Sequence, residues 1–203
     1  MLKRRNGWLR LALLLISMAI LSAGCDRSAY TFKGLYLDPQ IPAPDFTLTA
    51  HTGQPFHFGE DRQADLTLIY FGYTYCPDIC PLTLLDVGDA LADISPAERR
   101  RVQVLFITTD PGRDTPEVLK RYLNAIDPSF IGLTGDAAVI DGIMKTFQAS
   151  AEAVTGATEA GYLVSHTTHL YLLTPDGQSP LRYPFGFEPE DLRSDLTYLL
   201  QKP

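Results

Sequence analysis

The 203-residue chain is 45% hydrophobic and 20% charged, a balance that suits one globular domain plus an N-terminal appendage. Its formal net charge is −7; loss of residues 1–24, which hold four of the 17 basic and none of the 24 acidic residues, takes it to −11. So acidic a chain is ill suited to nucleic acid and to electrostatic attachment to anionic lipid.

In chain order, Lys3, Arg4, Arg5 and Arg10 precede an uncharged run, LALLLISMAILSAG (11–24), and then Cys25. A positive start followed by an apolar stretch shorter than the ~20 residues that span a bilayer predicts an export signal over residues 1–24. "LSAGC" resembles a bacterial lipobox, which makes Cys25 the expected lipidation site. An uncleaved signal anchor is the alternative. Either one tethers an exported domain to a bacterial inner membrane, facing the periplasm, and a lipoprotein cysteine carries enough acyl chains for stable attachment.

Residues 25–44 read as a polar-to-proline linker, and residues 45–203 as the folded domain. PAPDFTLTAHTGQPFHF alternates around Thr52-Gly53 and predicts a β-hairpin. DLTLIYFGY (65–73) is apolar, β-branched and aromatic throughout, hence a buried central strand. PLTLLDVGDALADI (81–94) carries Leu84, Leu85, Val87, Leu91 and Ile94 at helical spacing, with Pro81 placed to open the helix. RVQVLFITTD (101–110) predicts a second buried strand, entered from a polar turn. DTPEVLKRYLNAI (114–126) predicts a helix capped by Thr115 with Pro116 first. A short strand or turn at 130–135, a helix at 137–149, a hairpin around Pro175-Asp176-Gly177 and a last helix at 188–202 complete the order. Alternating central strands and helices followed by a closing hairpin imply an α/β thioredoxin-like fold: a mixed central sheet flanked by helices, with an N-terminal β-hairpin.

"CPDIC" puts Cys76 and Cys80 four apart between the first buried strand and its helix. A disulfide there would close a loop too small to stabilise the domain much. Helix N–H groups at that junction lower a thiol pKa, which helps a redox dithiol and a metal site alike. Thioredoxin-type oxidoreductases use C-x-x-C; the extra residue here lets both sulfurs converge on an outside atom. A metal would need a third ligand, and among His51, His57, His166 and His169 the last two flank a predicted buried strand. Two thiolates and one imidazole make a soft, low-coordinate donor set that favours copper, Cu(I) in particular, whereas structural zinc wants four ligands.

Together, "YFGYTYCPDICP", "TTDPGRDTPEVLKRYL", "IGLTGD" and "YLVSHTTHLYLLTPDG" resemble the Sco/SenC family of copper-binding proteins, in order, from about residue 41 to 200. The resemblance implies a membrane-tethered thioredoxin-like domain that delivers copper, as Cu(I) or Cu(II), to the binuclear copper site of cytochrome c oxidase, with subunit II as partner. Carried over by position, Cys76 and Cys80 are the thiolate ligands and His166 the imidazole ligand, with His169 the alternative. The family commonly has Asp before this histidine, where this chain has Ser165. Asp110 and Arg113 of "DPGRD" either fix their own loop or border the copper loop and tune it.

The rival reading is a thiol–disulfide reductase that keeps a recipient's cysteines reduced. Such enzymes place a cis-proline before the strand facing the dithiol, and no proline occurs here between Pro128 and Pro175. A peroxiredoxin is disfavoured because neither cysteine has a Thr three residues before it.

Overall fold

The computed structural model describes residues 30–155 and 161–201, and every element below belongs to the compact unit beginning at Phe32. The expected signal segment and Cys25 lie outside the described residues. In chain order the elements are β1 (Leu35–Pro42), β2 (Thr47–Ala50), β3 (Pro55–His57), α1 (Phe58–Asp61), β4 (Leu66–Gly72), α2 (Ile79–Ala92), α3 (Pro96–Arg99) and β5 (Val102–Thr108). They continue with α4 (Pro116–Asn124), β6 (Ile131–Thr134), α5 (Ala137–Thr146), β7 (Ala151–Thr155), β8 (Tyr162–His166), β9 (Leu170–Leu173), β10 (Gln178–Tyr183) and α6 (Pro189–Leu200).

Eight strands form one mixed sheet in the order β1-β10-β9-β4-β5-β6-β2-β3, with β4, β5 and β6 parallel and the outer strands antiparallel. This is a thioredoxin-like fold, as the alternation of strands and helices predicts. All seven residues of β4 are buried, as befits a strand covered on both faces. Their side chains alternate between two cores. Leu66, Leu68 and Tyr70 pack with Leu84, Val87 and Leu91 of α2, Leu119 of α4 and Leu192 of α6. Ile69 and Phe71 pack on the other face with Ile140 and Ile143 of α5. At about 1.5–3 kcal/mol per fully buried large apolar side chain, β4 alone contributes a large share of the drive to fold.

The N-terminal hairpin forms as expected, Thr47 opposite His57, with Gly53 at φ +83° in its turn, a conformation costly for other residues. Thr115 caps α4, its Oγ1 accepting from the Val118 N–H at 3.4 Å, and Pro116 follows. The closing hairpin pairs Leu181 with Leu172.

Four local expectations need correction. Within the segment read as a linker, Leu35–Pro42 form β1, paired with β10 at the sheet edge. Pro39 and Pro42 hid it, because proline lacks an N–H; an edge strand tolerates that. Helix α2 opens at Ile79, so Pro81 is its third residue, still within the first turn whose N–H groups have no intrahelical partner. Leu85, expected on its buried face, is 47% exposed. The polar turn before β5 contains α3, opened by a capping box between Ser95 and Glu98. A larger departure lies between residues 150 and 167, where β7 and β8 form a separate two-stranded antiparallel sheet, Ala151 opposite His166.

Candidate metal centre

The cysteine loop begins where β4 leaves the sheet. Gly72 is required there by space: a Cβ would lie 2.8 Å from Phe106, 2.9 Å from Tyr70 and 3.1 Å from the Cys80 Sγ. The next residues are held by Asp114, a fully buried carboxylate just before α4. It accepts from the Thr74 N–H (3.0 Å), the Thr74 hydroxyl (2.6 Å) and the Thr108 hydroxyl (2.6 Å), tying the start of the loop to the end of β5. Burial raises the pKa of Asp114, opposed by the hydrogen bonds from Thr108 and Thr74. Asp114 was legible only as part of the "DPGRDT" motif, since no sequence signal marks a carboxylate as buried.

Cys80 is the second residue of α2 and fully buried; Cys76 is half-buried, and both are free thiols. The helix cap residue Asp78 makes no side-chain capping bond, and the Cys76 sulfur instead receives the Cys80 N–H at 3.4 Å. A sulfur in that position is favoured as the anion. The hydrogen bond from the Cys80 thiol, with lesser help from the Cys80 and Asp78 main-chain N–H groups, lowers the Cys76 pKa to about 4 despite burial. Cys80 moves the opposite way, pushed up first by its hydrogen bond to Cys76 and then by burial. The apo pair is thus one thiolate and one thiol sharing a proton.

His166 ends β8, 86 residues from Cys80, and its Nε2 lies 3.3 Å from the Cys80 Sγ. Its Nδ1 faces the Thr167 carbonyl at 3.0 Å. A carbonyl can only accept, which assigns the ring proton to Nδ1 and leaves the Nε2 lone pair toward the sulfurs. The orienting acceptor that an Asp at position 165 would have supplied is therefore provided by main chain. Tyr70 and Tyr73 stand edge-on to the imidazole, with centroids 6.2 and 5.8 Å away.

The Cys76, Cys80 and His166 donor atoms all lie within 4.8 Å of one another, the one such group among the described residues. Bonds of about 2.3 Å to sulfur and 2.0 Å to nitrogen allow one ion to reach three donors so spaced. His169 does not join them. It sits two residues before Tyr171, its ring 6.1 Å from that side chain, and Tyr171 packs into the core on the opposite face of the sheet from Cys80. Burial lowers its pKa, with a smaller push from Arg182. Asp110 and Arg113 form an ion pair in the loop after β5, and neither is among the convergent donors.

Beside the sulfurs, a largely apolar cleft of about 320 Å³ opens between the cysteine loop (Cys76, Pro77, Ile79) and the β7–β8 hairpin (Val154, Leu163, His166). Access to the donors is from this side.

Fold and donor set together define a thioredoxin-like domain with two sulfurs and one imidazole converging at the C-terminal edge of its central strands. Residues 37–201 match the SCO1/SenC family model, and the chain belongs to that family. It is 35% identical over 159 residues to the SCO2-like protein of Rickettsia felis, covering 78% of this chain and 77% of that one. To the mitochondrial SCO2 protein of Saccharomyces cerevisiae it is 36% identical over 134 residues, covering 66% of this chain but only 44% of the yeast protein. Among solved structures, apo Sco1 from Thermus thermophilus superposes with a TM-score of 0.74 at 34% identity, covering 85% of this chain and 99% of that one. Bradyrhizobium japonicum ScoI, solved with copper bound, gives 0.70 at 32% identity, covering 78% and 99%.

Proposed function

We propose that this protein binds one copper ion through the Cys76 and Cys80 thiolates and the His166 Nε2, and passes it on during assembly of the binuclear copper site in subunit II of cytochrome c oxidase. The observation that carries the reading is the convergence of those three donor atoms within 4.8 Å on a sequence separation of 86 residues. Thiolate-rich, low-coordinate sites select Cu(I). The copper-bound state of the Bradyrhizobium relative supports the choice of metal. The half-buried, cleft-side Cys76 offers the sulfur from which a recipient thiolate could take the ion.

Residues 1–24 serve as the export signal and Cys25 as the anchor, holding the acidic domain on the periplasmic face of a bacterial inner membrane. Among the described residues no helix is long and apolar enough to cross a membrane. The test is an anaerobic Cu(I) titration of the reduced full chain in detergent against a chromophoric chelator. One tightly bound equivalent, held much more weakly in His166→Ala, is expected; failure to compete for Cu(I) would sink the reading. Delivery is tested separately, by copper content of subunit II in cells with and without the protein.

A thiol–disulfide reductase is the second reading, favoured by the depressed Cys76 pKa, which supplies an attacking thiolate at neutral pH. It predicts reduction of a partner disulfide with no bound metal required.

A further inference from the structure

His166 rides on a two-stranded sheet that shares no ladder with the eight-stranded one. Apart from the Cys80–His166 contact and the Val164 N–H, which faces the Tyr73 hydroxyl, the polar ties of this hairpin to the rest of the described domain come from the loop after β5. Arg113 donates from Nη1 to the Tyr162 carbonyl at 3.0 Å, and its guanidinium lies over the Tyr162 ring, 3.7 Å from the centroid. The Tyr162 hydroxyl donates to Asp110 Oδ1 at 2.8 Å, while Asp110 Oδ2 takes the Arg113 Nε–H. The same guanidinium faces Tyr75 at 4.8 Å and Tyr73 at 5.9 Å, which flank the approach to Cys76. One cation therefore touches both halves of the metal centre without touching a donor atom.

We propose that Arg113, Asp110 and Tyr162 form a latch that fixes the β7–β8 hairpin, and with it the His166 imidazole, over the cysteine loop. They are positioning residues: Tyr162 begins the strand that His166 ends, so holding its backbone and its ring sets the height and tilt of β8. Arginine suits the task because its planar fork donates in-plane to a carbonyl and a carboxylate while its faces stack on rings. The buried Asp110, 5% exposed, supplies the counter-charge for the Arg113 side chain, itself only 16% exposed, whose guanidinium faces three tyrosines. Closing the latch places the third donor; opening it would leave a two-sulfur site from which an ion leaves more readily. This last consequence rests on the copper reading, whereas the latch itself does not.

The experiment therefore has two arms. In the first, hydrogen exchange is followed by mass spectrometry on the metal-free full chain in detergent. Arg113→Met should speed exchange in 151–155 and 162–166 by about tenfold, the worth of one hydrogen bond and one stacked cation, and leave 66–72 and 102–108 unchanged. Tyr162→Phe, which keeps the ring and removes the hydroxyl, should do the same to a smaller extent. Unchanged hairpin exchange in both variants, or equal acceleration throughout the domain, would overturn the latch. In the second arm, Arg113→Met should weaken Cu(I) binding about tenfold in the parent and not at all in a His166→Ala background. Equal loss in both backgrounds would show that Arg113 does not act through His166. If the parent itself binds no Cu(I), the copper reading fails and the exchange arm still decides the latch.

Discussion

The two sulfurs and the imidazole reach one point from regions of opposite construction. The sulfurs hang from the junction of β4 and α2, where the strand is wholly buried, Cys80 is fully buried and Gly72, Thr74 and Thr108 fix the backbone through close packing and Asp114. The imidazole hangs from a small sheet whose strand β7 is mostly exposed, tied by a few hydrogen bonds and stacked rings and reaching the core through the buried Val164, with Ala151 and Tyr162 against it. Local opening costs least where few apolar contacts must break. One side of the centre is therefore built into the core, and the other meets that core through fewer apolar contacts. On the proposed carrier function, the fixed dithiol would take the ion and the less firmly packed third donor would govern its release.

The largest expected effect strikes the fixed side. Cys76→Ser or Cys80→Ser should lower Cu(I) affinity by more than the roughly 10–100-fold that loss of an outer partner costs a metal site. Chelator competition reads this directly, and parent-like affinity in either variant would place the site elsewhere. On the less firmly packed side, His166→Ala should weaken binding by on the order of 100-fold. The melting temperature should change by no more than about 2 °C, because the ring is only partly buried at the end of a peripheral strand.

Packing contrasts the same two regions. Gly72→Ala should destabilise the domain by about 1–3 kcal/mol, since its methyl has no room against Phe106, Tyr70 and Cys80. Val154→Ala in the hairpin, at a residue 46% exposed, should cost no more than about 0.5 kcal/mol. Denaturant melts that gave the two equal costs would erase the distinction between core and hairpin.

Reactivity separates the thiols themselves. An ordinary cysteine, with a pKa near 8.5, is under about 1% thiolate at pH 6. Cys76, held at about 4, remains a thiolate there, so iodoacetamide should modify it at pH 6, with the rate falling only as pH drops through about 4. Cys80, buried and shifted upward, should remain unmodified. Equal labelling of both, with an inflection near 8.5, would contradict the shared-proton arrangement. The smallest effect is expected of His169→Ala, whose ring packs on the far side of the sheet; Cu(I) affinity should stay within about twofold of the parent.

Much of this was legible before any fold was known. The apolar runs of β4 and β5, the Thr115-Pro116 start of α4 and the turn at Pro175-Asp176-Gly177 are encoded within windows of a dozen residues, and each formed where expected. The spacing of Cys76 and Cys80 is likewise local, because the short loop before α2 and the helix's first residues place both sulfurs at its N-terminal end. What the sequence by itself could not determine depends on side chains brought together from distant segments. Whether His166 or His169 meets the sulfurs turns on which face of the sheet each reaches, three residues apart in a stretch whose β7–β8 hairpin left no alternating signal. The burial of Asp114, the main-chain acceptor that orients His166 in place of an acidic neighbour, and the stacking of Arg113 on Tyr162 are equally long-range. Local sequence sets the elements through backbone preference and apolar period; only packing, which balances desolvation against a specific partner for each polar group, decides which of them meet.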